Sequence, residues 1–242
     1  MTPVMDESLE TAVSAVPRSR KFSARVALVD LKESTGKVLR DCFKQFGIET
    51  LVVTDNAVER LPREKFEACV LKLSPGAELV MDSVRRSASN GKMVIYGLGG
   101  SAQEAMQYSK YGINAVFHEP VQRPAVLKVV RATQMLVAHE FRRYLRIPVI
   151  TEISVATADN KRRFNAISQE VSSGGMSIRS DEEVPLDQAL EISFALLTLP
   201  RIWVRGTVCW AKPSSKNFGI RFDLQDERRL RIKEWIEGYL AD

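Results

Sequence analysis

The sequence predicts two folded parts of different class. Residues 23–138 read as an open α/β sheet of parallel strands, and residues 139–242 as an all-β barrel or sandwich with a closing helix. Two observations carry this. From Ala24 to about residue 137, short β-branched strands alternate with helical stretches, the rhythm of a parallel sheet covered by helices on both faces. From Ile147 the texture changes to short alternating segments separated by turn signals at Asp159-Asn160, Gly174-Gly175, Pro185, Pro200 and Pro213.

In order, "ARVALVDL" is the first strand, and "STGKVLRDCFKQFG" the first helix, with Val38, Leu39, Cys42, Phe43 and Phe46 on one face. Ser34 is its expected N-cap and Gly47 its stop. "IETLVVTD", "ACVLKL", "KMVIYGL" and "AVFHEP" are the next four strands, with helices in "AELVMDSVRRSASNG" and "AQEAMQYSKYG". After Pro124, "AVLKVVRATQMLVAHEFRRY" is a long amphipathic helix whose apolar side is expected to hold Val126, Val129, Val130, Met135 and Leu136. "PVITEISVAT", "RFNAISQEV", "GMSIRS", "ALEISFALL", "IWVRGTVCWA" and "NFGIRFDL" are the β segments. "DERRLRIKEWIEGYL" ends the chain as a basic amphipathic helix. Residues 1–22 lack an apolar core, carry a late basic cluster, and read as a flexible leader rather than a signal peptide.

Composition narrows the classes. The 242 residues are 45% hydrophobic and 27% charged, ordinary for a soluble globular protein, with a formal net charge of +5. That surplus favours anionic partners but is too small to imply nucleic acid without a concentrated patch. Apolar runs stop well short of the roughly 20 residues of a membrane-spanning helix, so no membrane insertion is expected. Cys42, Cys69 and Cys209 are far apart and odd in number, which points to small core residues in a reducing, cytoplasmic setting. His118 and His139 have no metal-ligand spacing and no nucleophile–base pair stands out, so neither an enzyme, a metal nor a cofactor is expected.

The layout of residues 24–137 resembles the receiver domain of bacterial response regulators, a flavodoxin-like fold with a five-stranded parallel sheet. "YGINAVFHEPVQRPAVLKVV" is similar to the receiver's last strand, X-Pro turn and final helix. Phosphate-accepting receivers carry acids after the first strand, an Asp ending the third, a hydroxyl residue ending the fourth and a Lys before the Pro. Here Asp30 fits the first site with Glu33 near it, Lys72 stands near the acceptor, Gly97 near the hydroxyl, and Glu119 precedes Pro120. Aspartyl phosphorylation needs a carboxylate nucleophile, a metal held by acids and a neutralising cation. Two of those charges are reversed, so the resemblance implies a pseudo-receiver used for docking a protein partner, for homodimerisation or for relay. "GLGGS", Gly97 to Ser101, is open to a rival reading as a phosphate-cradling loop, although it lacks the full GxGxxG spacing and follows the fourth strand.

In the second part, "HEFRRYLRIPV" holds Arg142, Arg143 and Arg146, and "EVSSGGMSI" holds Glu170, Ser172, Gly174 and Gly175. Alone, the first fits a solvated basic helix end, and the second fits a hairpin turn using glycine's tolerance of positive φ. Together, an RxxxR followed by acid-x-Ser-x-x-Gly resembles the two-part signature of the PilZ domain. "VRGTVCWAKPSSKNFGIRF" is similar to the late strands of the same family. The resemblance covers residues 140–242 and implies a six-stranded antiparallel barrel, often followed by a helix. It also implies cyclic di-GMP as ligand, bound by Arg142, Arg143, Arg146, Glu170, Ser172, Gly174 and Gly175. The chemistry suits that dianion. Arg grips phosphate or guanine O6 and N7 bidentately. A Glu170 carboxylate accepts from guanine N1–H and N2–H, Ser172 adds a hydroxyl, and Gly175 leaves room for the ligand. The family pattern has Asp or Asn where this chain has Glu170.

The expected function is a bacterial cyclic di-GMP effector that relays the signal through its non-phosphorylatable receiver-like part. Two alternatives stay open: a nucleotide-independent scaffold for type IV pilus or motility machinery, and a phosphorylatable response regulator. Nucleic-acid binding through the basic hairpin and the last helix is a weaker fourth reading. Trp203 and Trp210 are expected in the barrel core or wall, and Lys161, Arg162 and Arg163 as solvated hairpin charges.

Overall fold

A computed structural model describes residues 23–99, 102–196 and 199–241. The leader reading at residues 1–22, and Gly100 and Ser101 of the glycine loop, lie outside the described residues. The chain divides into two compact units between Arg142 and Arg143.

The first unit is a doubly wound α/β fold. Its strands are β1 (Arg25–Val29), β2 (Glu49–Val53), β3 (Ala68–Lys72), β4 (Val94–Leu98) and β5 (Ala115–Phe117). All pair in parallel in the order β2-β1-β3-β4-β5, the strand order of flavodoxin-like and receiver folds. Helices α1 (Glu33–Lys44), α2 (Ala57–Arg63), α3 (Ala77–Arg86), α4 (Ala102–Gln107) and α5 (Arg123–Tyr144) connect the strands or close the unit. Strand side chains alternate between the two faces. Val26 and Leu28 join the core with α1 and α5, whereas Ala27 and Val29 join the core with α2 and α3. The first core is aromatic at its centre: Tyr96 stacks on Phe117 at 5.3 Å and meets Phe43 edge-on at 5.8 Å.

Local chemistry differs from the sequence reading in three places. Lys32 occupies the N-cap of α1 with Ser34 already inside the helix, while Gly47 does stop the chain in the left-handed region at φ 68°. The buried stripe of α5 is Val126, Val130, Thr133, Val137 and Glu140, with Met135 and Leu136 left 64% and 46% exposed. Helical spacing of three and four from Val126 reaches Thr133, whose hydroxyl bonds Tyr96 Oη at 2.7 Å and donates to the Val129 carbonyl at 2.8 Å. Helix α2 goes unread because it has seven residues and contains Pro62.

Arg85 on α3 is a staple of this unit. Its guanidinium donates to the carbonyls of Tyr111 (2.6 Å), Met93 (2.8 Å), Gly112 (3.0 Å) and Gly91 (3.1 Å). Partial burial lowers its pKa, since desolvation disfavours the charged form.

The second unit is a closed antiparallel barrel. Its strands are β6 (Ile147–Pro148), β7 (Glu152–Thr157), β8 (Arg163–Ser172), β9 (Gly175–Arg179), β10 (Ala189–Leu196), β11 (Leu199–Lys212) and β12 (Asn217–Phe222). The order β8-β7-β10-β11-β12-β9 returns to β8, which closes six strands and leaves no free edge, and β6 adds to β8 beyond the end of β7. Inward residues, among them Ile153, Val155, Ile178, Ile192, Phe194, Val204 and Phe222, are buried.

Helix α6 (Arg229–Ala241) docks by Ile232, Trp235 and Ile236. Its lead-in is tied to β11 by Asp226, a buried carboxylate that accepts from Arg205 N at 2.8 Å, Arg228 N at 3.1 Å, and Arg228 Nε and Nη2, each at 2.9 Å. These bonds, led by Arg228, hold its carboxyl at about 2 against an ordinary 3.8.

Candidate functional site

The site grows out of the hairpin between β8 and β9. Ser172 pairs with Gly175 across a two-residue turn, Ser173 and Gly174, and Ser172 Oγ donates to the Gly175 carbonyl at 3.1 Å. A register shift between Ser168 and Glu170 breaks the alternation of β8 and leaves Glu170 exposed on the outer wall. Strand β6 brings the entering chain to the same place: Pro148 pairs with Glu170 and Ile147 with Val171, so Arg146 arrives immediately before that pairing.

These elements enclose a cleft of about 420 Å³. Arg143, Arg146, Glu170, Ser172, Gly174 and Gly175 all line it. The half-buried Arg142 does not. Arg146 Nη1 donates to the Tyr144 carbonyl at 3.3 Å, and the Arg143 guanidinium lies 5.5 Å from the Tyr144 ring centre.

The two glycines have different reasons from those the sequence suggested. Neither sits at positive φ. A Cβ on Gly175 would run into the backbone carbonyl of Ile220, so this glycine is required by the close approach of β9 to β12 and not by room for a ligand. A Cβ on Gly174, which also lines the cleft, would meet nothing within 4 Å, so packing does not require a glycine there. Its carbonyl accepts from Phe222 N at 2.9 Å, fixing the turn to β12.

The cleft also holds residues that sequence reasoning passed over. Arg221 lines it, opposite Gly175 in the β12–β9 register, and makes three arginines against the single carboxylate of Glu170. The outward phase of "NFGIRF" was the available signal. A second register shift, between Val208 and Trp210 on β11, turns two consecutive side chains outward, so Cys209 and Trp210 both line the cleft. Cys209 is therefore exposed and not a core residue. Trp210 is 38% exposed on the outer wall, lying against Gly219, where a Cβ would come within 2.7 Å of indole Cζ2. Lys212 Nζ stands 5.8 Å from its ring centre. Trp203 is likewise on the outer wall, at 45% exposure. Of the hairpin charges, Lys161, Arg162 and Arg163 are exposed as expected and none lines this cleft.

In the α/β unit, Lys72 is exposed at the end of β3 and Asp30 is exposed with φ 50°. The fourth-strand position is closed by packing: a Cβ on Gly97 would lie 2.8 Å from Leu73 Cδ1. The Glu119 carboxylate sits against Gly99, 3.1 Å from where a Cβ there would be. Among the described residues no group of three or more His, Cys, Asp or Glu side chains is placed to hold a metal ion. No helix among them is long and apolar enough to cross a membrane.

Residues 140–238 match the family model of the PilZ domain. The barrel unit is therefore PilZ-like over residues 140–238, and the unit before it is receiver-like in its strand order. A comparison with curated proteins finds no match. Among solved structures, the PilZ domain of CeSA from a cellulose-synthesizing bacterium is similar at 14% identity and TM-score 0.34, covering 39% of this chain and 96% of that one. The chemotaxis response regulator CheY4 of Vibrio cholerae is similar at 19% identity and TM-score 0.41, covering 46% and 98%. A response regulator from Chloroflexus aurantiacus J-10-fl is similar at 16% identity and TM-score 0.42, covering 48% and 98%.

Proposed function

We propose that this protein is a cyclic di-GMP effector whose ligand lies in the cleft between the β8–β9 hairpin and Trp210. The carrying observation is that Arg143, Arg146, Glu170, Ser172 and Gly174, from segments more than twenty residues apart, line one cavity with Arg221. Three guanidiniums against one carboxylate leave a positive excess suited to a dianion. Their planar forks address phosphate oxygens or guanine O6 and N7 in pairs of hydrogen bonds. Glu170 accepts from the N1–H and N2–H donors that adenine lacks. The exposed indole of Trp210 gives a purine a flat face to lie on.

Binding draws the segment around Arg142 to Arg146 against the barrel. Helix α5 is continuous from the Tyr96–Thr133 bond to Arg143, so the end that grips the ligand belongs to the same helix that is cored into the receiver-like domain. A ligand that favours one setting of the helix end shifts the population of partner-binding states. The receiver-like domain serves as the docking half of this relay. Its hydroxyl position is filled by Leu73 packing and its cation position holds Glu119, which supports a role without phosphorylation.

Equilibrium dialysis of the full chain with labelled cyclic di-GMP tests the reading. Retention of label, displaced by excess unlabelled cyclic di-GMP and not by cyclic di-AMP, is expected. Equal displacement by the two, or no retention, would overturn it.

A further inference from the structure

The outer wall of the barrel carries a second cleft, of about 430 Å³, away from the arginine cleft and sharing no lining residue with it. It lies on the β8-β7-β10-β11 side. Register places Trp203, Ser193, Ser154 and Asn165 in one straight row across those strands, and Arg205, Glu191, Ala156 and Arg163 in the next. Neighbouring strands are about 4.8 Å apart. The small side chains of Ser154 and Ala156 on β7 therefore form a floor. Trp203 on β11 and Arg163 with Asn165 on β8 stand as its walls.

The chemistry of this trough is specific. Trp203 is 45% exposed, so part of its flat indole face is open to a ligand. The groups around it are polar and planar: Asn160, Asn165, Arg163 and Glu191, with the Ser154 hydroxyl between them. They are also held in place. Arg163 Nε donates to Asn160 Oδ1 at 3.0 Å, Ser154 Oγ to Asn165 Oδ1 at 3.4 Å, and Arg228 Nη1 to Glu191 at 3.2 Å.

Charge and polarity choose among occupants. Glu191 is already paired with Arg228, which leaves one lining guanidinium, Arg163, against the three of the arginine cleft, and so a weaker pull on phosphate. A protein hot spot sets its Trp in a desolvated apolar surround depleted of charge, and here Phe164, Val155 and Ala156 share the lining with a larger set of Ser, Asn, Arg and Glu side chains. A pyranose ring fits both demands. Its C–H face lies flat on an indole, and its hydroxyls both donate to and accept from amide, guanidinium and carboxylate groups. The volume falls in the range of about 300–1,000 Å³ usual for small-molecule sites.

We infer that this cleft is a binding site for a neutral saccharide, with Trp203 as stacking platform and Asn165, Arg163 and Glu191 as hydroxyl partners. The site is independent of the cyclic di-GMP reading, and its test does not depend on that reading.

The test is a titration of the full chain with cellohexaose, maltohexaose and chitohexaose, each to millimolar concentration, read by saturation-transfer NMR and calorimetry. At least one oligosaccharide is expected to receive saturation through its ring C–H protons. Trp203→Ala is expected to weaken it by roughly tenfold or more, as for a dominant contact residue, and Trp203→Phe by less. Asn165→Ala is expected to weaken it by a smaller factor. Because Trp203 is exposed, the variants are expected to keep the wild-type urea midpoint, which is measured alongside. Transfer to none of the three sugars, or equal affinity of wild type and Trp203→Ala, would overturn the inference.

Discussion

Gly175 faces the carbonyl of Ile220 so closely that no side chain fits between them. The next glycine outward in the hairpin, Gly174, faces open space. One glycine of the pair thus belongs to the barrel and the other to the cleft. Gly175→Ala is expected to destabilise the protein by about 1–3 kcal/mol, the usual range for overpacking a tight contact. Gly174→Ala is expected to stay within about 0.5 kcal/mol of wild type, as for an unconstrained surface position. Urea unfolding of both variants checks the contrast, and cyclic di-GMP titration of Gly174→Ala is expected to show the affinity loss.

Trp210 owes its position to Gly219, since any Cβ there would press into the indole. Gly219→Ala is expected to displace the ring, shift its fluorescence, and weaken cyclic di-GMP binding without touching a charged residue. Unchanged affinity with a displaced ring would remove Trp210 from the site.

Much of this was legible in the sequence, and the misses share a cause. The βα rhythm, the five strands and the barrel segments follow from local periodicity, and the arginine and Glu-x-Ser segments announced the cleft. The bulges at Ser168/Glu170 and Val208/Trp210 did not, because a register shift arises from closing the barrel and not from the strand's own residues. The shift at Val208/Trp210 turns Cys209 and Trp210 outward together, whereas the number and spacing of the cysteines had pointed to a core residue. On α5, Thr133 took the place assigned to Met135 because a hydroxyl with the Tyr96 partner can be buried. The role of Gly175 was unreadable because its constraint comes from Ile220, 45 residues on.

The Asp226 carboxyl titrates at about 2 in the folded chain against 3.8 ordinarily. A lowered folded-state value means stabilisation that is complete above the unfolded value and is lost as pH falls through the folded one. The stability difference between wild type and Asp226→Asn is therefore expected to be constant above about pH 5 and to shrink steadily between about pH 4 and pH 2. Denaturant midpoints across that range measure it. A difference independent of pH would assign the anchor to packing alone.

Arg85 satisfies four backbone carbonyls with one side chain. Arg85→Met is expected to cost about 1–3 kcal/mol, because partly buried acceptors lose charged donors. Arg85→Lys is expected to recover only part of that, since an ammonium lacks the planar fork. Urea unfolding of the two variants supplies the comparison.

Gly97→Ser reinstates the hydroxyl that phosphate-accepting receivers carry, yet Leu73 occupies the space it needs. Incubation with acetyl phosphate is expected to label neither wild type nor this variant. Labelling that maps to Asp30 would instead make the domain a working phosphoacceptor.

The most direct test of the central claim is a calorimetric titration of cyclic di-GMP into the full chain and into an Arg143→Ala, Arg146→Ala variant of unchanged urea midpoint. Saturable heat at micromolar ligand in the wild type, lost in the variant, is the result expected of a cyclic di-GMP effector using this cleft. No heat at tens of micromolar, or equal binding by the two proteins, would contradict it.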